Sequence, residues 1–559
     1  MATSLPGPPF FNATSGRFVH DRAEMPTLNW IGKEAVVNHH HHVPFHLLKD
    51  VPELSTGDPG SGNLIVQGDN LVALKALLPY YAGQVKCIYI DPPYNTGEEN
   101  WVYNDNVSSP LIHEWLGKTV GKEAEDLSRH DKWLCMMYPR LALLRQFLRQ
   151  DGLIFVSIDD NEVSSMRMLL DDLFGKSNFV ASVIWQKRTS PDARLPLGPA
   201  HDYILAYAGD INLAKRTIKQ VPISGERAKN FKNPDNDPRG LWASVDLTGQ
   251  TGHATPEQYY EITTPTGRRL KPTMGRCWAI AHATFKSLVA DNRIWFGKKG
   301  TAVPRQKQFL SETEGVAAWT WWPNTEVGHN QEATKELNEI LGRSDAFDNP
   351  KPSRLLQRII HLATDKDSLI LDSFAGSGTT GHAVLQLNKT DGGNRRFILV
   401  EMEPKIARGI TAERVKRVAQ GYTNAKGEQV EGLGGGFRFC ELGEPLFDER
   451  GQIKPSVRFA DLARHVYFTE TGEPLPRERV PNSAKIGECR GVAIYLLFNG
   501  ILGDKSANGG NILTRSVLAQ LPKFDGQKVI YCAGCLLGRD RLQAERVIVR
   551  QTPYEIKVS

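Results

Sequence analysis

Apolar positions arrive in short unbroken runs, and the runs alternate with segments of helical period. Val85-Lys86-Cys87-Ile88-Tyr89-Ile90, Leu153–Ile158, Val180–Trp185, Ser368–Leu371 and Arg396–Val400 are short and rich in β-branched or aromatic residues. Such runs predict strands buried on both faces, as in a parallel sheet. Between them, Asp131–Arg149 carries Leu134, Met137, Leu141, Leu144, Phe147 and Leu148 at helical spacing. Leu71–Leu78, Val163–Phe174 and Ser353–Leu362 read the same way, the first of them capped by Gly68-Asp69-Asn70. Strand and helix in alternation predict an α/β fold.

The alternation breaks between Arg188 and Asn349, where Pro, Gly, Asn and aromatic residues dominate. This predicts an insert at 188–349 that splits one α/β domain into halves at 28–187 and 350–440. A loose leader, 1–27, precedes them. Residues 441–559 are expected to form a small α/β accessory domain, with strands at 491–498 and 528–532. A chain of 559 residues accommodates three or four such units. Charge follows the same division. Lys187–Lys307 holds 20 Lys and Arg against 10 Asp and Glu, while the rest of the chain holds 48 against 53. One interior segment thus carries the positive field, the electrostatic footprint of a phosphate-backbone partner.

Composition narrows the class further. With 40% apolar and 23% charged residues the chain reads as a soluble globular protein. No apolar run approaches the ~20 residues that span a membrane. Met1–Phe10 is Pro/Gly-rich rather than basic then apolar, so no secretory signal is expected. The seven cysteines are scattered and odd in number, which predicts reduced thiols in a cytoplasm. No metal is expected. His39–His42 are consecutive and lack the i, i+4 spacing of helical ligands. Cys532 and Cys535 lack a second pair.

Asp91-Pro92-Pro93-Tyr94-Asn95-Thr96-Gly97 leaves the carboxyl end of the run 85–90, the edge where open α/β sheets hold ligands. The two prolines fix φ and remove two backbone donors. The turn is therefore stiff, and its carbonyls are bare acceptors beside one carboxylate and one aromatic face. Such a set suits a planar ring bearing an amino group. The amine donates to Asp91 and to the Pro92 carbonyl, and the ring stacks on Tyr94. A nucleobase swung out of its helix meets that description. A rigid strand-end turn with an incidental tyrosine is the plainer alternative. Residues 98–121, polar and irregular with Trp101, Tyr103 and Trp115, are expected to form a loop that closes over the base.

The run 368–371 ends in Asp372-Ser373-Phe374-Ala375-Gly376-Ser377-Gly378-Thr379-Thr380-Gly381. Small residues there let the backbone approach a ligand closely, and a helix starting at Gly381 points its N-terminus at the same place. Glu401, at the end of the next strand, is placed to accept from both hydroxyls of a ribose. Gly376 and Gly381 have the spacing of a phosphate-binding loop, but His382 and Ala383 stand where Lys and Ser/Thr are required. The dinucleotide pattern Gly-x-Gly-x-x-Gly is matched, and spacing alone does not exclude it.

The turn at 91–97 resembles the Asp-Pro-Pro-Tyr motif of amino-group DNA methyltransferases. Its Asn-Thr-Gly extension is similar to that of the modification subunits of type III restriction systems. Residues 372–379 resemble the S-adenosylmethionine motif of the same family, whose core is Phe-x-Gly-x-Gly. Catalytic motif, insert, then cofactor motif is the order of the β group, and the resemblance covers about residues 28–440. It implies a Rossmann-like S-adenosylmethionine-dependent methyltransferase sheet with permuted motif order, and a target-recognition domain as the insert.

The resemblance assigns catalysis to Asp91, Pro92, Pro93 and Tyr94. Cofactor binding falls to Asp372, Phe374, Ala375, Gly376, Gly378, Thr379 and Glu401, with Lys351 and Ser353 against the methionine end. The base pocket falls to Asn95 and Trp185. The implied reaction is methylation of adenine N6 in double-stranded DNA after base flipping, in restriction-modification or phage defence. Cytosine N4 methylation needs the same amine geometry, but in those enzymes the turn more often starts with Ser. A catalytically silent DNA-binding subunit is the remaining alternative, and the intact acidic, aromatic and glycine positions disfavour it. Implied partners are a second copy of the chain and a helicase-nuclease restriction subunit.

Overall fold

The computed structural model describes residues 28–58, 61–96, 129–190, 196–223, 228–313, 315–344, 346–424, 426–475, 480, 482–498, 500–503 and 510–552. The expected leader at 1–27 and the loop at 98–121 lie outside the described residues.

The α/β alternation is realised as one large mixed sheet. Its strands are His46–Asp50 (β1), Leu64–Gln67 (β2), Val85–Ile90 (β3), Leu148–Ile158 (β4), Phe179–Gln186 (β5), His201–Ala208 (β6), Trp321–Trp322 (β7), Leu369–Asp372 (β8), Arg396–Glu401 (β9) and Arg438–Pro445 (β10). They lie in the order β1-β10-β2-β9-β8-β3-β4-β6-β5-β7. Every pairing from β10 to β4 is parallel, while β6 runs antiparallel to both β4 and β5. The apolar runs read from sequence coincide with β3, β5, β8 and β9, and with the second half of β4.

Helices cover both faces. Asn70–Tyr81 (α1), Arg129–Phe147 (α2) and Val163–Leu170 (α3) pack on one face, where Leu74, Leu141 and Met166 meet Ile88, Ile90 and Val156. Asn330–Leu341 (α4), Ser353–Ala363 (α5), Thr379–Asp391 (α6) and Ala412–Gln420 (α7) pack on the other, where Leu337, Ile359 and Val384 meet Cys87, Tyr89 and Ile370. Successive residues of β3 thus feed opposite cores, as the pleat requires. The cap read at the first helix is present: the Asp69 side chain accepts from the N–H groups of Leu71 and Val72.

The winding positions the site. The chain leaves β3 toward β4 on one side and leaves β8 toward β9 on the other, yet β3 and β8 are neighbours, with Ile88 beside Leu371. Their carboxyl ends frame a crevice, the switch point at which such sheets bind ligands.

The range 188–349 is not a single separate insert by its pairing. It contributes β6, β7 and α4 to the sheet and its layers. A two-residue strand shows no period, and β6 follows β5 without a helix, so neither disturbed the irregular pattern. What stands apart is 222–315. Val221 and Val316 exchange backbone hydrogen bonds of 2.9 and 3.0 Å. Between them Leu247, Ile262, Trp278, Phe285 and Ile294 form a core of their own.

After β10, Phe459–Thr471 (α8) carries Leu462, Val466 and Tyr467 into the apolar layer shared with α1. A second sheet covers it, made of Lys485–Cys489 (β11), Val492–Leu496 (β12), Gln527–Cys532 (β13) and Val547–Gln551 (β14) in that order. Among the described residues no helix is long and apolar enough to cross a membrane, and no group of three or more His, Cys, Asp or Glu is placed to hold a metal.

Candidate active site

Two turns meet in the crevice. Asp91, Pro92, Pro93 and Tyr94 run out of β3, and residues between Asp372 and Thr380 run out of β8. Both line one cavity of about 250 Å³. The first turn is tied down from behind, where the Trp133 indole on α2 donates to the Pro93 carbonyl at 2.7 Å. Asp91 and Pro92 stay on the cavity wall.

Asp91 is used asymmetrically. Its Oδ2 accepts from Lys351 Nζ, while Oδ1 is buried with no hydrogen-bond partner. A buried acceptor left unmatched costs about 1–3 kcal/mol. Lys351 Nζ also lies 5.1 Å from the centroid of the Tyr94 ring, within cation–π range. Burial, with Asp91 alongside, pushes the Tyr94 phenol well above its ordinary range. The ring is therefore a neutral stacking face at neutral pH.

The second turn depends on its glycines. Gly376 has φ +49°, and a Cβ there would stand 3.2 Å from Cζ of Phe347. Gly378 has φ +75°, and its Cβ would stand 3.1 Å from the Thr411 carbonyl oxygen. A side chain at Gly376 would fill the space between the turn and the ring. Asp372 at the start of the turn is buried, and burial pushes its carboxyl up to about 7; bonds from Thr380 and from the Phe374 N–H pull the other way, and Asp91 and Glu401 raise it further. Burial likewise raises Asp202, although Lys187 Nζ donates to it at 2.5 Å. Among the described residues, five aspartates, at 91, 159, 202, 348 and 372, stand with Lys187, Arg188 and Lys351 around the cavity. The acidic excess favours a cationic ligand.

A buried arginine joins the parts. Arg414 on α7 donates through Nη1 to Ser377 Oγ at 3.1 Å and Thr379 Oγ1 at 2.8 Å, and through Nη2 to Glu336 Oε2 at 3.0 Å. Glu336 Oε1 in turn accepts from Ser353 Oγ at 2.5 Å. The glycine turn and the Lys351–Ser353 segment are thereby held in one frame.

The structure brings most of the sequence-assigned residues together. The four corner residues and Lys351 line the cavity, and so do Asp372, Phe374, Ala375, Gly376 and Thr379. Five others stand off its wall. Gly378 shapes the turn from beneath. Ser353 is buried and gives its hydroxyl to Glu336. Glu401 lies behind the turn, where its carboxylate accepts from the N–H groups of Gly376 at 2.8 Å and Glu403 at 2.9 Å.

Asn95 and Trp185 need correction as base-pocket residues. Asn95 is fully buried behind the corner, donating to Glu162 Oε1 at 2.5 Å and to the Arg129 carbonyl at 3.3 Å. Trp185 is fully buried in the apolar layer, its indole donating to the Gly328 carbonyl at 3.0 Å. Its position on β5 turns it toward that core rather than toward the rim. Sequence reading missed Lys187, Asp202 and Phe347. The first two mark where β5 ends and β6 begins, on the rim shared with Asp91, and β6 was not read as a strand.

A sequence profile of the family described as DNA methylase matches residues 85–413, a stretch that starts at β3 and takes in both turns. The chain belongs to the DNA methylase family. Within that family it is 39% identical over 365 residues to the type III restriction-modification enzyme StyLTI Mod subunit of Salmonella typhimurium, covering 63% of this chain and 54% of the relative. It is 32% identical over 429 residues to the EcoPI Mod subunit of Escherichia phage P1, covering 68% and 64%. It is 29% identical over 415 residues to the type II methyltransferase M.KpnI of Klebsiella pneumoniae, covering 69% and 94%. The methylase chain thus spans between about half and two thirds of those two type III relatives. The α/β expectation and the family drawn from the two motifs agree with these matches.

Proposed function

We propose that this methylase transfers a methyl group from S-adenosylmethionine to N6 of an adenine everted from double-stranded DNA, in restriction-modification or phage defence. The observation that carries the reading is the shared cavity. The acidic diproline corner and the glycine turn open onto one space, with Asp91 on its wall.

The residues fit the cofactor. The acidic wall suits a sulfonium, the glycine turn admits close approach, and the Phe374 and Phe347 rings offer apolar surface. When bound, S-adenosylmethionine supplies an electrophilic methyl group on sulfur. Asp91 and the Pro92 carbonyl accept the two amine hydrogens and draw the nitrogen lone pair out of conjugation with the ring. Tyr94 stacks on the base and fixes its plane. Asp91 is then within reach of the proton that the methylated nitrogen gives up. Alignment of amine, methyl and sulfur dominates, an effect worth up to ~7–11 kcal/mol in well-oriented small-molecule systems. Residues 222–315, with their own core and 14 Lys and Arg against 9 Asp and Glu, are the segment we assign to target recognition. By extension from the type III relatives, the methylase is expected to act as a homodimer beside a restriction subunit. Light scattering and co-purification test those two points.

The deciding experiment incubates the chain with DNA and methyl-labelled S-adenosylmethionine, then digests and chromatographs the nucleosides. Label in N6-methyladenine is expected. Label in N4-methylcytosine would overturn the base assignment, and none at all would overturn the enzymatic reading. Asp91→Ala should abolish incorporation yet still bind cofactor in calorimetry; retained turnover refutes the role of Asp91.

A further inference from the structure

We infer that Glu162 is a positioning residue for methyl transfer, acting through Asn95; the inference rests on the reading of the Asp91–Tyr94 corner given above. Glu162 lies three residues past Asp159, in the turn from β4 into α3, and is fully buried. Its Oε1 accepts from Asn95 Nδ2 at 2.5 Å and faces His130 Nδ1 at 2.6 Å. Its Oε2 is buried with no hydrogen-bond partner. One amide and one half-exposed imidazole compensate poorly for taking a carboxylate out of water. An apolar side chain would pack there at lower cost.

What the carboxylate holds explains its presence. Asn95 sits at φ +59°, in the left-handed region that residues other than glycine seldom occupy. It directly follows Tyr94. A change at its backbone swings the Tyr94 ring and, through the stiff prolines, Asp91. Besides the Lys351 contact to Asp91, the corner is pinned from behind at two points, Pro93 by the Trp133 indole and Asn95 by Glu162 with the Arg129 carbonyl at the start of α2. Glu162 is not on the cavity wall, so its effect passes through Asn95 rather than through contact with the base.

The test compares Glu162→Ala, Glu162→Gln, Asn95→Ala and the double alanine variant of the full chain. Single-turnover methyl transfer is measured at saturating DNA and cofactor. Glu162→Ala should slow transfer by about 100-fold, the scale of a 1 Å misplacement, with cofactor and DNA affinities within about threefold of wild type. Glu162→Gln keeps a carbonyl for the Asn95 amide and should recover most of the rate. Asn95→Ala should match Glu162→Ala, and the double variant should be no slower than either, as for two residues acting as one unit. An unchanged rate in Glu162→Ala overturns the inference, as does an additive double variant or a loss shared equally by both affinities and the melting temperature. A crystal structure of Glu162→Ala supplies a readout independent of activity: Asn95 still at positive φ with Tyr94 unmoved would also overturn it, whereas inactivity of the wild-type chain would sink the functional reading instead.

Discussion

Lys351 Nζ donates to Asp91 Oδ2 and so links residues 260 positions apart in sequence. The pair joins the segment before α5 to the turn after β3, and it engages one oxygen of Asp91 while the other is buried without a hydrogen-bond partner. Lys351, read from sequence as a cofactor contact, reaches the Asp91–Tyr94 corner itself.

Removing that ammonium should slow catalysis more than it weakens binding. A hydrogen bond to a charged group contributes about 1.5–3 kcal/mol, so Lys351→Met should lower kcat/KM by roughly 10- to 100-fold. Lys351→Arg should not restore it, because a planar fork does not replace a compact ammonium against one oxygen. Steady-state kinetics on a DNA substrate decide this; a variant of wild-type efficiency would show the pair to be ornamental.

Cofactor affinity should depend on pH through Asp372. Its folded carboxyl titrates near 7, above its ordinary value of 3.8. Between about pH 4 and 7 the folded chain keeps a proton that the unfolded chain has lost, so this group's contribution to stability falls as pH rises across that window. A cation bound beside Asp372 favours the carboxylate. Affinity for S-adenosylmethionine should therefore rise several-fold as pH passes upward through 7, with proton release, and Asp372→Asn should flatten the curve. Calorimetry in buffers of different ionisation enthalpy measures both; a flat wild-type profile refutes it.

Arg414 should matter to stability and to cofactor binding together. Its side chain is fully buried, and Glu336 is its carboxylate partner. Arg414→Met strands that carboxylate, at a cost of about 3 kcal/mol, the lower end for a broken buried pair because Glu336 is partly exposed. Arg414→Met with Glu336→Gln should regain part of the loss. Thermal unfolding reads the first effect, and calorimetry should show weaker cofactor binding from the released Ser377 and Thr379.

Trp185 should behave as core. Trp185→Ala is expected to cost about 3–5 kcal/mol of stability, whereas Trp185→Phe should keep methyl transfer and base preference. A Phe variant that folds normally but loses DNA affinity selectively would return Trp185 to the base pocket.

The legible parts of this chain are those whose signal is local. The run at β3 and the runs at β8 and β9 stand out because burial on both faces leaves no polar alternation. The corner at 91–94 stands out because two prolines, a carboxylate and a tyrosine occur together. Besides β6 and β7 in the irregular stretch, three sheet strands escape the sequence reading. β2 is as short as β8 but has no motif at its end to mark it, β1 reads as an apolar pair among polar neighbours, and β10 carries Arg438, Glu441 and Glu444. They are strands because they find partners, β10 lying between β1 and β2. The supports of the site were hidden for the same reason. Lys351 reaches Asp91, Arg414 reaches the glycine turn, and Glu162 reaches Asn95 across long stretches of chain. Trp185 was misplaced because a strand between two layers does not announce which face meets which.

The paired hydrogen bonds between Val221 and Val316 have an evolutionary corollary. A chain that departs and returns through adjacent residues can carry a longer or shorter passenger there, since closure entropy changes by only about 0.6 kcal/mol per doubling of length. Swapping the passenger leaves the β3 and β8 rims untouched. On the function proposed above, choice of DNA sequence and methyl-transfer chemistry become separately inheritable, and new specificities arise by exchange of cassettes on an unchanged engine.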